Sequence, residues 1–207
     1  TVTGGYGNGA SQGIQFTGTS GILNIKGNLI GGINSAAIIH NCPSGILNIT
    51  GDCNRDSLGA MAITIANNGI ANISGNVYAG GTAGGQGYGI SMTNSACVVN
   101  IYGNVGGSTR VSNQRVINQA GGTVNIYGNI NPPNQDHGVY INAVSTTNVY
   151  GNVYGSNTST TLYGIYNNQL GTVYISGTCI GGDQSPAAYN VSNGTITVSY
   201  THLRAHE

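Results

Sequence analysis

Hydrophobic and polar residues alternate with period two in short runs, and the runs themselves recur along the chain. The clearest begins Asn24-Ile25-Lys26-Gly27-Asn28-Leu29 and repeats as Asn48-Ile49-Thr50-Gly51-Asp52-Cys53 and Asn72-Ile73-Ser74-Gly75-Asn76-Val77. It continues at Asn100-Ile101-Tyr102-Gly103, Asn125-Ile126-Tyr127-Gly128 and Asn148-Val149-Tyr150-Gly151. Tyr174-Ile175-Ser176-Gly177 is a degraded copy, and Thr197-Val198-Ser199 a last echo. Successive copies start 24, 24, 28, 25, 23, 26 and 23 residues apart. A period of this size means one supersecondary unit stacked on copies of itself.

Within each unit, alternation sends Leu23 and Ile25 to one face and Asn24 and Lys26 to the other. The inward positions repeat as Leu47, Val99, Val124, Val173 and Ile196, and as Ile49, Ile73, Ile101, Ile126, Val149, Ile175 and Val198. β-Branched residues dominate these columns, as strands require. A second strand is predicted in each unit, for example Ala37-Ile38-Ile39-His40-Asn41, Arg115-Val116-Ile117-Asn118 and Gly138-Val139-Tyr140-Ile141-Asn142. Asn closes most of these and, stacked at one turn, is expected to form a hydrogen-bonded ladder. The Gly after the first strand marks a bend where a β-carbon is unwelcome. A short third strand follows, as in Asn76-Val77-Tyr78. Three strands and three turns in about 24 residues describe one coil of a β-solenoid.

The Asn-Ile-x-Gly-Asn repeat resembles that of right-handed parallel β-helix proteins, a group containing pectin-lyase-like enzymes, autotransporter-type adhesin passengers and phage tail fibres or tailspikes. The resemblance covers residues 13 to 199, and its Asn-Ile-Tyr-Gly-Asn-Val style is similar to low-charge repeats of bacterial surface and adhesin-like proteins. It implies an all-β fold: a single-stranded right-handed parallel β-helix of about eight coils, roughly 24 residues each. Residues 1–199 are expected to form this one domain. The segment 200–207 breaks the pattern and reads as a tail outside the native structure. The chain opens on Thr1 without an initiator Met and is expected to be a mature product or a fragment. Neither end shows an obvious polar cap.

Charged residues are only 5% of the chain, against roughly 25% in ordinary domains, and Asn, Ser and Thr supply the polarity. Formal net charge is zero and no basic stripe exists, which argues against nucleic-acid binding. No apolar run approaches the ~20 residues of a spanning helix, so membrane insertion is not expected. A neutral, hydrogen-bonding surface points to an extracellular, cell-surface or virion-surface location. Cys42, Cys53, Cys97 and Cys179 are expected to be free thiols acting as small hydrophobes.

Candidate chemistry is sparse. Before the tail the acids are Asp52, Asp56, Asp136 and Asp183. Asp52 falls in the column of Asn28, Asn76 and Asn104 and reads as a ladder variant. No two acids assemble the paired carboxylates of a glycosidase, so no catalytic residue is assigned. His and Cys spacings match no zinc signature, and no metal or cofactor is expected. His40 reads as a surface or satisfied edge residue. Asp136-His137, following Pro132-Pro133, is the densest polar constellation and is expected in a loop, where it reads either as a binding element or as an ordinary solvated turn. Arg55, Asp56, Arg110, Asp136 and Asp183 are all expected in the variable turn after the third strand, on one decorated edge. Tyr102, Tyr127 and Tyr150 occupy one outward column in consecutive coils. They suit glycan contact or lateral docking, or simply stabilise the sheet.

The expected function is that of a non-enzymatic structural or adhesive β-helix, contacting glycans or surface proteins through a Tyr/Asn face (Tyr102, Tyr127, Tyr150) and a loop edge (Arg110, Asp136, His137). The alternatives are a polysaccharide lyase or hydrolase of the pectin-lyase-like group, and a filament subunit associating end to end or laterally.

Overall fold

A computed structural model of the 207-residue chain describes residues 1–4, 12–32, 35–55, 61–78, 88–106, 114–132 and 136–199, the side chains at 55, 114 and 136 excepted. Arg110, Asp56, the insertion 80–87 and the tail 200–207 lie outside the described residues. No described residue is helical.

The chain winds into a parallel β-solenoid. Eight strands form the first sheet, from Ser20–Lys26 through Val98–Ile101 and Thr123–Ile126 to Thr195–Val198. Eight more form the second, from Ile14–Thr17 through Gln114–Gln119 and Asp136–Ile141 to Ala188–Asn190. The third sheet is made of short strands such as Cys53–Arg55, Val105–Gly106 and Val153–Tyr154. Its two segments are joined by bridges of Val77 to Cys53 and Val105. Eight strands per long sheet amount to about seven turns, one fewer than the motif count suggests. At ~4.8 Å per step the rod is about 34 Å long.

Register is set by the repeat. Asn24 pairs with Asn48, Asn48 with Asn72, Asn72 with Asn100, Asn100 with Asn125 and Asn125 with Asn148. A one-residue slip would turn every buried Ile outward, so the alternation holds the strands in place. Ile49, Ile73, Ile101, Ile126, Val149 and Ile175 stand above one another in the core, none more than 2% exposed. Leu29, Cys53, Val77, Val105, Ile130 and Val153 line the third sheet, all fully buried. Each full burial of a Leu, Ile or Val side chain contributes ~1.5–3 kcal/mol.

The bend glycines have a steric cause. A β-carbon on Gly51 would lie 2.5 Å from the Gly27 carbonyl oxygen, and Gly75, Gly103, Gly128, Gly151 and Gly177 are closed in the same way by the glycine one turn earlier. Gly27 adopts φ +128°, which strongly favours glycine.

Three expectations are corrected. His40 is fully buried, not at the surface. It shares a column with Phe16, Ile65, Met92, Gln119, Ile141 and Asn167 that faces the turn between second and first sheets. The polar members of that column bind the turn backbone: Gln119 Nε2 donates to Gly122 and Thr146 carbonyls at 3.1 and 2.8 Å, and Asn167 Nδ2 to Gly171 at 2.8 Å. Arg55 closes the strand Cys53–Arg55 and does not lie in the following turn. Asp136 and His137 begin the strand Asp136–Ile141, paired with Gln114 and Arg115, and are not in a loop. The parallel register with the preceding turn carries the strand back to Asp136, straight after Pro132-Pro133 and the residues that follow them.

The cysteines are free; Cys42, Cys53 and Cys97 are buried and Cys179 is half-buried. Burial pushes the Cys53 thiol up, aided by the Asp52 charge, and also raises Cys97 and Cys179. These thiols stay protonated and serve as core hydrophobes.

Candidate functional site

On the outer face of the first sheet two regular rows run along the rod. Asn48 Nδ2 donates to Asn24 Oδ1 at 2.9 Å, and Asn72, Asn100, Asn125 and Asn148 each donate to the Asn one turn earlier at 2.8 Å. The principal ladder thus lies in the middle of the Asn-Ile strand. At the second-strand turn, where an Asn row was expected, the described residues show one side-chain rung, Asn67 Nδ2 to Asn41 Oδ1 at 2.6 Å. Asn94 instead turns its Oδ1 to the Ala96 N–H. Each ladder amide spends one N–H and one lone pair on its neighbours, leaving a donor and an acceptor to the solvent side.

Two residues along, Tyr102, Tyr127 and Tyr150 form the expected stack. Ring centroids are 4.9 and 4.8 Å apart, with planes within 6° and 8° of parallel. All three are about half exposed. The rings lie face against face along the rod axis, so their hydroxyl-bearing edges meet solvent while the inner faces are covered. Beyond the bend glycine a third row runs. Asn28, Asp52, Asn76, Asn104, Asn129 and Asn152 each accept the backbone N–H of the residue one turn later, at 2.7–3.0 Å. Asp52 also accepts from Asn76 Nδ2 at 3.2 Å. Only an acceptor oxygen is required there, which explains how Asp replaces Asn.

His137 lies apart from this face, on the second sheet, within an aromatic pile that sequence reasoning missed. Its ring stacks on Tyr166 at 4.8 Å and Tyr163 at 5.6 Å, and tilts against Tyr140 at 5.7 Å. Tyr189 stacks on Tyr163 at 4.7 Å, and the Arg115 guanidinium sits 3.3 Å from the Tyr140 centroid. The Tyr163 N–H donates to His137 Nδ1 at 3.2 Å, so the imidazole carries its proton on Nε2 and is neutral. Burial, then the Arg115 charge, lowers its pKa to about 4. A signal for the pile was present: Tyr140, Tyr166 and Tyr189 all follow the inward residue of the second strand, in register. Asp136 opens the same strand, with its side chain outside the described residues, and Arg110 falls outside them altogether.

Among the described residues no three of His, Cys, Asp and Glu gather into a metal-binding group, and no helix is long and apolar enough to cross a membrane. Comparison with protein-family models, with curated proteins and with solved structures returned no match.

Proposed function

We propose that this chain is a non-enzymatic, structural and adhesive β-helix of an extracellular, cell-surface or virion protein, related in kind to adhesin passengers and tail fibres. Glycans or another surface protein are its partners. The outer face of the first sheet supports this reading: an unbroken row of side-chain amides beside a stack of three tyrosines, on one flat face without charge from Asn48 to Tyr150. Amide donors and acceptors repeating every ~4.8 Å, next to a row of phenol hydroxyls, match a partner rich in neutral hydroxyl or amide groups. The side chains are held by one another before a partner arrives, so little rotamer freedom remains to be lost on contact.

Immobilised bacterial and host glycans, together with a polysaccharide-depolymerisation assay, test this. The expected result is retention on a glycan or protein surface that falls when Tyr127 and Asn125 are replaced by Ala, with no release of reducing ends or unsaturated products. Depolymerisation that disappears on Asp52→Asn or Asp183→Asn would instead establish the polysaccharide-degrading class.

A further inference from the structure

Where the third sheet gives way to the turn, a shallow groove of about 330 Å³ opens between successive turns, lined by Asn131, Tyr154, Ile180 and Asn157 over the backbone of Gly155 and Gly182. We propose that it seats a single neutral pyranose ring. This rests on the adhesive reading above and supplies the chemistry of its partner.

Four observations converge. First, Tyr154 stands on the outer side of its strand and lines the groove, and among the described residues no aromatic ring stacks on it, whereas the rings of Tyr102, Tyr127 and Tyr150 cover one another. The Tyr154 hydroxyl accepts a hydrogen bond from Asn152 Nδ2 at 3.4 Å, which steadies the half-buried ring where it lines the groove, and a sugar's C–H face stacks on such a ring. Second, Ile180, paired with Tyr154 in register one turn on, is 40% exposed, an apolar side chain left uncovered beside the ring. Third, polar groups border that apolar patch. Asn157 accepts the Asp183 N–H through Oδ1 at 3.0 Å, which leaves its amide hydrogens to donate, and the Asn131 amide has no side-chain hydrogen bond among the described residues. Fourth, among the described residues no carboxylate, ammonium, guanidinium or imidazole lines the groove, so an ionic ligand would meet no counter-charge from them. A small apolar patch of Tyr154 and Ile180 set among amides is the complement of a pyranose, which has C–H faces and a hydroxyl perimeter. The volume lies at the lower end of the ~300–1,000 Å³ range of small-ligand sites, as a single-ring occupant requires.

Glycine lets successive turns approach closely at the groove. An added β-carbon on Gly182 would run into the Ser156 carbonyl, and one on Gly155 would lie 2.5 Å from Gly182 N. Those two positions are fixed as glycine by the close approach of successive turns at the groove.

The test titrates the full chain with methyl glycosides of glucose, galactose, mannose and N-acetylglucosamine, followed by backbone-amide shifts and saturation transfer in NMR. At least one probe is expected to bind saturably in the millimolar range, shifting the amides of Gly155, Gly181 and Gly182. Tyr154→Ala should weaken it about tenfold or more, Tyr154→Phe about threefold or less, and Val144→Ala, in an exposed turn away from both surfaces, should leave it unchanged. If Tyr154→Ala does not fold, Asn157→Ala is the substitute and should weaken binding by several-fold. Absence of saturable binding for every probe overturns the proposal, as does binding indifferent to both Tyr154→Ala and Asn157→Ala. Binding lost only in Tyr127→Ala also overturns it, while leaving the adhesive role of the Tyr/Asn face intact.

Discussion

Individual residues in this rod answer to their counterparts one turn away more than to their sequence neighbours. At Gly103 an added β-carbon would sit against the Gly75 carbonyl group and 2.8 Å from Asn76 Oδ1. Gly103→Ala is therefore expected to destabilise by about 1–3 kcal/mol in chemical denaturation, with Gly181→Ala, whose β-carbon would come no nearer than 3.9 Å to Ser185 O, within about 0.5 kcal/mol of the parent. His137 provides a residue-scale test in pH. Its folded pKa is near 4 against 6.5 for the free side chain, so the unfolded chain takes up the proton first as pH falls. Stability from this group is fully present above about pH 6.5 and declines between 6.5 and 4, by about 3 kcal/mol in all. His40, also lowered by burial, adds a loss of the same sign. Thermal melts from pH 7 to 4 should show a shallower decline in His137→Phe, the remainder being due to His40; an unchanged decline would contradict the buried, neutral His137.

At the scale of the element, the ladders and stacks predict graded effects. Asn100 gives one amide bond and receives another, so Asn100→Ala should cost about 1–2 kcal/mol. Tyr127 has a ring on both sides, whereas Tyr102 and Tyr150 have one each. Tyr127→Ala should therefore destabilise about twice as much as Tyr102→Ala through lost stacking, each contact counting ~0.5–1.5 kcal/mol. Equal effects would mean that the stack adds nothing beyond burial. This column was legible in the sequence because Tyr102, Tyr127 and Tyr150 stand at one motif position, and so was Asp52 as an acceptor in an Asn row. The depth of His40 was not legible: it looks like any polar residue near a strand end until the turn backbone that it and Gln119 satisfy is in view. The place of His137 was hidden by Pro132-Pro133, which reads as a loop although the strand begins at Asp136. The groove was hidden for another reason, since it is built by backbone shape around Gly155 and Gly182 and has no motif.

For the whole molecule, the repeat demands that equal motif positions lie in a line along one axis. Lys26, Tyr127, Tyr150 and Ser176 occupy the same outward column. Lys26 pairs with Thr50, and the later three follow the paired residues Ile126, Val149 and Ile175. The Tyr/Asn face, the aromatic pile on the second sheet and the groove all take their positions from that winding. Pulsed electron–electron distance measurements test it most directly, with labels attached through introduced ketone side chains so that the native cysteines are untouched. Between labels at 26 and 127, 26 and 150, and 26 and 176, the distances should be about 19, 24 and 29 Å, rising by about 4.8 Å for each turn. Distances that plateau, or that fall as the second label moves along the chain, would contradict the solenoid and every surface assigned to it.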